Sequence, residues 1–159
     1  MSWPLMGALL FPLAFCPVPI DGQTVAAAEP ETVVSALRSA GYRAEVTTDS
    51  HGDPMIRSAS GGTNWSLYFY GCRDNRDCRS VQFAVSFDKA EALDADNMND
   101  WNRRIRFGQA SVDDEGDPRL SLDLNLAEGG ISRALFIDNV ELWDRTLSRF
   151  LDHIDWGAR

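Results

Sequence analysis

Two neighbouring stretches of the chain alternate apolar and polar residues without a break, and that pattern leaves few folds open. From Asn64 to Tyr70, Trp65, Leu67 and Phe69 point one way and Ser66, Tyr68 and Tyr70 the other. From Arg79 to Phe87, Val81, Phe83, Val85 and Phe87 oppose Ser80, Gln82, Ala84 and Ser86. Period two is the repeat of an extended strand, so both runs predict strands of an antiparallel sheet with one buried face. A further arm alternates Leu120, Leu122, Leu124 and Leu126 against polar residues, as the second half of a hairpin spanning 107–126.

A one-sided sheet needs a cover, and the C-terminal segment supplies it. Phe136, Val140, Trp143, Leu147, Phe150 and Ile154 step by alternating fours and threes, the apolar stripe of one long helix. A first helix is expected over 31–40, with Pro30 in its first turn and Gly41 at its end. A second is expected over 94–104, offering Met98 and Trp101 to the core. Strands over 42–48 and 55–59 complete the set. The expected class is α+β, an antiparallel sheet flanked by helices in the order α-β-β-β-β-α-β-β-α. A Gly-Asp-Pro turn occurs twice, at Gly52-Asp53-Pro54 and Gly116-Asp117-Pro118. Turn chemistry alone can produce that echo, so it does not establish a duplication.

The N-terminus reads differently. Leu5 to Phe15 is an apolar run too short to span a bilayer but suited to a signal peptide. Pro17, Pro19 and Gly22 follow, then Ala26-Ala27-Ala28, where cleavage after Ala28 satisfies the A-x-A pattern. No Lys or Arg precedes the apolar run. Cys16 invites a lipoprotein reading, which ranks below ordinary cleavage because the bulky Phe15 precedes it. The expected organisation is a signal peptide at 1–28 and one domain at 29–159, periplasmic or secreted, with no membrane span after cleavage.

In an oxidising compartment, Cys72 and Cys78 fit a structural disulfide across the base of a polar hairpin connection. Their spacing is not the C-x-x-C of redox catalysis, and with only His51 and His153 for company they do not make a zinc pattern. Asp113, Glu115 and Asp117 alternate like the start of a calcium loop, but Gly116 stands at the wrong position and no Glu closes the loop. No metal and no cofactor is expected. Fifteen basic against twenty-four acidic residues, a formal charge of −9, argue against a nucleic-acid partner, and no such partner is expected. Neither histidine has a G-x-S-x-G partner, so no nucleophile and base are assembled and no catalytic residue is named.

Several segments carry a family likeness. Leu67-Tyr68-Phe69-Tyr70-Gly71-Cys72, then Cys78 to Phe83, the run Asp100-Trp101-Asn102-Arg103-Arg104-Ile105-Arg106-Phe107 and the Gly116-Asp117-Pro118 turn resemble the bacterial YbjN-domain proteins. The resemblance spans about residues 32–150, and the W-N-x-x-x-R-F run is its most specific part. It implies the fold of type III secretion chaperone-like domains, no known catalytic residues, and the loose label of a sensory transduction regulator. Effector-chaperone function does not follow, because those chaperones are cytosolic and fold is not function.

Two groups of residues remain as binding candidates. Tyr68 and Tyr70 face away from the core and fit a groove or a homodimer surface, or simply cover the far side of the sheet. Trp101, Asn102, Arg106 and Phe107 straddle a helix end. On the structural account, Trp101 anchors the helix, Asn102 caps its end and Arg106 pairs with a carboxylate; on the functional account they rim a partner site. The expected function is an exported, non-catalytic module that binds a protein or peptide and regulates in the bacterial envelope. The alternatives are a periplasmic enzyme of unrecognised type and a purely structural envelope protein.

Overall fold

The computed structural model describes residues 24–89 and 91–157. In chain order the elements are β1 (Thr24–Val25), α1 (Pro30–Ser39), β2 (Glu45–Thr48), β3 (Pro54–Ser60), β4 (Thr63–Tyr70), β5 (Ser80–Ser86), α2 (Ala95–Arg104), β6 (Gln109–Val112), β7 (Pro118–Asn125), β8 (Ile131–Ser132) and α3 (Arg133–His153). The expected α+β order is present. The apolar run Leu5–Phe15 and Cys16 lie outside the described residues.

Six strands form one antiparallel sheet in the order β2-β3-β4-β5-β7-β6. Its register aligns Ile56, Leu67, Phe83 and Leu122 in one row on the covered face. Beneath them Trp143 of α3 meets Phe83 at 5.6 Å and Trp65 at 6.1 Å between ring centroids. Phe136 stacks on Phe83 from the same helix. Tilted and edge-on aromatic pairs of this kind add to the area they bury.

Each helix has a local reason for its ends. Pro30 opens α1, where its missing N–H costs nothing, and Val33, Val34, Ala36 and Leu37 are buried. Asp94 and Asn97 form a reciprocal capping box at the start of α2. Ser132 Oγ accepts from Leu135 N–H to start α3. Lys89 Nζ donates to Ile154 C=O at 2.6 Å where α3 ends.

Three features depart from the expectations. The strand expected from Tyr42 begins at Glu45, because Tyr42 N–H closes the end of α1 on Leu37 C=O. Its ring stands edge-on to Trp65 instead, and its hydroxyl donates to Asp144. Two strands were not anticipated: β1 pairs antiparallel with β8, Val25 opposite Ile131, as a second small sheet. Val25 and Ala27, inside the segment assigned to the signal peptide, are fully buried in the core. Thr32 holds the neighbouring Ala26 through both its N–H and its C=O. A side chain at Gly130, whose φ is +81°, would collide with the Val25 carbonyl.

Candidate functional site

The W-N pair sits on the last turn of α2; Trp101 reaches Gly108, just ahead of the edge strand β6, and Asn102 reaches the strand itself. Trp101 is buried, its ring 5.1 Å from Phe150 and edge-on to it. Its Nε1–H donates to Gly108 C=O at 2.9 Å. Asn102 does not cap the helix. Its Nδ2–H donates to Ala110 C=O at 3.0 Å, and its Oδ1 accepts from Ala110 N–H at 2.9 Å. The amide therefore takes the place of a neighbouring strand's peptide and satisfies edge groups that would otherwise face outward. Helix α2 ends on its own backbone, with Ile105 N–H donating to Trp101 C=O. Gly108 makes the connection possible: its φ is +83°, and a Cβ there would stand 2.6 Å from the Thr146 methyl.

Arg106 is not paired with a carboxylate among the described residues. Its guanidinium lies over the Phe107 ring, 5.3 Å from the centroid, and Phe107 is 46% exposed. The signature thus divides. Trp101 and Asn102 are turned inward to the sheet edge, while Arg106 and Phe107 stand out beside it.

The tyrosines lie on the uncovered face. Rows Met55–Tyr68–Gln82–Asp123 and Arg57–Ser66–Ala84–Ser121 cross it from strand to strand. Gln82 Nε2 donates to Asp123 at 2.9 Å, and Tyr70 hydroxyl donates to Gln82 Oε1 at 3.4 Å. Burial, and after it Tyr68, Asp123 and Asp49, push the Tyr70 phenol above its ordinary value, so the hydroxyl stays a neutral donor. The sheet's twist makes this face a trough of about 810 Å³ whose lining includes Tyr68, Tyr70, Arg43, Arg57 and Arg119. Glu45 is the one carboxylate of that lining.

Cys72 and Cys78 are disulfide-bonded and close the connection between β4 and β5. Within it Asp74, Asn75 and Asp77 all have positive φ. Asn75 Nδ2 bonds His51 C=O and Asp53 Oδ1, at 3.1 and 2.9 Å. Asp113 serves its turn: Oδ1 accepts from Glu115 and Asp117 N–H, and Arg119 pairs with Oδ2 at 2.9 Å. Among the described residues no group of three or more His, Cys, Asp or Glu stands together as a metal site. His153 Nε2 lies 2.9 Å from Asn97 C=O, and His51 is in an exposed turn.

The sequence singled out Trp101 and Asn102 but not their partner, the β6 backbone. It missed Asn75, for which its place inside the cysteine loop was the available signal. The structure does not bring Trp101 and Asn102 together with the tyrosines; they lie at one edge and on the open face.

No curated protein and no solved structure matches this chain. A family model described as "YbjN: Putative bacterial sensory transduction regulator" matches residues 29–156. That description is compatible with a non-catalytic regulatory module. The match takes in most of the sequence, including Cys72 and Cys78, Tyr68 and Tyr70 and the W-N-x-x-x-R-F run, and the chain belongs to the YbjN family.

Proposed function

We propose that this protein is an exported, non-catalytic regulatory module of the bacterial envelope that binds a protein or peptide on the open face of its sheet. The observation that carries the reading is that face: one side of the sheet is covered by helices, and the other presents two tyrosines and three arginines in a trough. Tyrosine joins an apolar ring to a polar tip and arginine offers a planar fork of donors, the two residue types that recur at protein interfaces. Both histidines are placed away from the trough, which supports binding over acid–base chemistry. Export is supported by the apolar run at Leu5–Phe15 and by the disulfide.

The test uses the full chain expressed in a bacterial host. Fractionation is expected to recover it from the periplasm or medium, and cytosolic retention would refute export. Captures from envelope extract with wild type and with Tyr68→Ala/Tyr70→Ala are then compared. A partner held by the wild type and lost from the variant, with hydrogen-exchange protection over β4 and β5 in the complex, is the expected result. Partners retained equally by both, or protection confined to the helices, would overturn the assignment of the face. Turnover of a substrate by the purified protein would overturn the non-catalytic reading.

A further inference from the structure

The six-stranded sheet ends in two edges, and the chain finishes them differently. At β6, Asn102 occupies both outward groups of Ala110, and Trp101 takes the Gly108 C=O just ahead of the strand. At β2, no described strand pairs on the outer side, although just ahead of it the Ala44 C=O accepts from Arg38 Nη2 at 2.8 Å. Asp49 N–H donates to Asp53 C=O at 2.9 Å, which fixes the phase of the β2–β3 ladder. By antiparallel alternation Thr47 and Glu45 bond β3, while Val46 and Thr48 direct their N–H and C=O outward. The Val46 side chain continues the covered row through Ile56 and Leu67, yet it is 48% exposed because the helix layer stops short of it. An apolar row thus runs off its cover onto an unpaired edge.

We propose that β2 pairs antiparallel with β2 of a second copy of this chain, about a two-fold axis at Val46. Charge and the edge groups left open together select the occupant and the register. Outward groups can meet only where Ala44, Val46 and Thr48 face one another. Centred on Val46, the pairing sets Val46 against Val46, Ala44 against Thr48, and Arg43 against Asp49 on both sides of the axis. Asp49 Oδ1 is used by its own turn, taking the His51 and Asp53 N–H groups, and Oδ2, 4.0 Å from His51 Nδ1, would be shared with the arginine, which in the protomer donates to Asn64 Oδ1. Centred one residue earlier, Glu45 faces Glu45; one residue later, Glu45 faces Asp49 twice. Both alternatives oppose like charges, which antiparallel pairs disfavour. Centred two residues earlier, Arg43 faces Glu45 twice, but Ala44 then faces Ala44, whose C=O already accepts from Arg38 Nη2 at 2.8 Å. The edge pairing needs no ligand on the open face, but Arg43 also lines the trough, and such a dimer would join two troughs along a single sheet. A four-residue ladder buries far less than the roughly 1,600 Å² of a standard interface, so the dimer is weak and concentration-dependent.

Sedimentation equilibrium of the full chain over about a hundredfold range of concentration tests this. The weight-average mass is expected to rise from one protomer toward two. Val46→Pro removes only an outward N–H and spares the β2–β3 ladder, so it should keep the wild-type melting profile and abolish association. Arg43→Glu, which faces Asp49 twice per dimer, should weaken association by about tenfold. Under mild oxidation Val46→Cys should cross-link with itself, the opposed Cα atoms being about 5.5 Å apart in a bonded pair, whereas Thr48→Cys should not. A single protomer mass throughout overturns the proposal, whatever other partner the edge then serves. So does a dimer indifferent to Val46→Pro, or equal cross-linking at both positions. Val46 and Thr48 amides protected from exchange in a monomer would also overturn it, by showing the edge already covered by the chain itself.

Discussion

Replacing Asn102 with alanine removes both halves of an amide-to-peptide pair at the edge of the sheet. The two bonds, at 3.0 and 2.9 Å, are partly buried. A net hydrogen bond is worth about 1 kcal/mol, and water can reach this edge once the amide is gone, so the full penalty of an orphaned peptide does not apply. The sum is about 2 kcal/mol for Asn102→Ala, and at this chain length it lowers Tm by roughly 6–10 °C. The urea midpoint should fall by about 1 M with an unchanged slope, because no more surface is exposed on unfolding than before. Hydrogen exchange should locate the loss at the Ala110 amide and leave the α2 amides as they were.

Asn102→Asp separates the pairing role from mere size. The carboxylate still accepts from Ala110 N–H, but its second oxygen meets Ala110 C=O with no proton to share. At neutral pH it should therefore be no more stable than Asn102→Ala. The carbonyl favours the protonated side chain, so the folded-state pKa of the new group is raised. Stability from the restored donor is then present at acid pH and lost as pH rises through that pKa. A narrowing gap to wild type on acidification is the expected signature. Melting of Asn102→Ala at the wild-type temperature, or an unchanged exchange rate at Ala110, would refute the idea that the amide stands in for a strand.

Trp101→Ala should cost more, about 3–5 kcal/mol, since it empties a buried site against Phe150 as well as freeing Gly108 C=O. Denaturant titration checks it, and a loss below that of Asn102→Ala would contradict the burial. A product beginning at Glu29 should melt below the full chain by about 2–3 kcal/mol, because β1 and the buried Val25 and Ala27 are gone. Intact mass identifies the product actually formed on export, and equal melting of the two forms would show that β1 carries no stability. The Asp113 carboxyl is held below its ordinary 3.8, first by the Asp117 N–H and then by the Glu115 N–H and Arg119. Its hold on the turn is therefore present above that value and lost only as pH falls below it; an NMR titration midpoint at or above 3.8 would refute this.

Period two made β4, β5 and β7 legible, and the long apolar stripe did the same for α3. Both patterns report burial on one side, which is the larger part of what holds these elements in place. The two-residue strands β1 and β8 are too short to show any period. Asn102 was legible as a residue with a backbone task, but its partner was not, since a left-handed Gly108 sets where β6 passes the end of α2. Arg106 was expected on a carboxylate and lies on Phe107, the next residue in the chain. Val46 fell correctly on the apolar side of its strand, but no one-dimensional pattern says how far a helix layer extends.

The repeated Gly-Asp-Pro motif carries the last prediction. Both copies fold into the same turn. Asp49 and Asp113 each accept two N–H groups through Oδ1, from His51 and Asp53 in one and Glu115 and Asp117 in the other. Gly52 and Gly116 have φ of +86° and +83°. The second aspartate then takes a donor from a different connection: Asp53 from Asn75 Nδ2, Asp117 from Lys89 N–H. One of these anchors depends on the disulfide. Asn75 sits between Cys72 and Cys78 with φ of +59°, and Asp74 and Asp77 are also left-handed, a conformation that non-glycine residues hold only when their surroundings impose it. Reduction should release that constraint, withdraw Asn75 and loosen the β2–β3 turn, while its twin at 113–117 is untouched. Amide exchange at His51 and Asp53 should then rise severalfold with reductant, against no change at Glu115 and Asp117. Equal responses in the two turns would refute the coupling, and the twin supplies the control within the same chain.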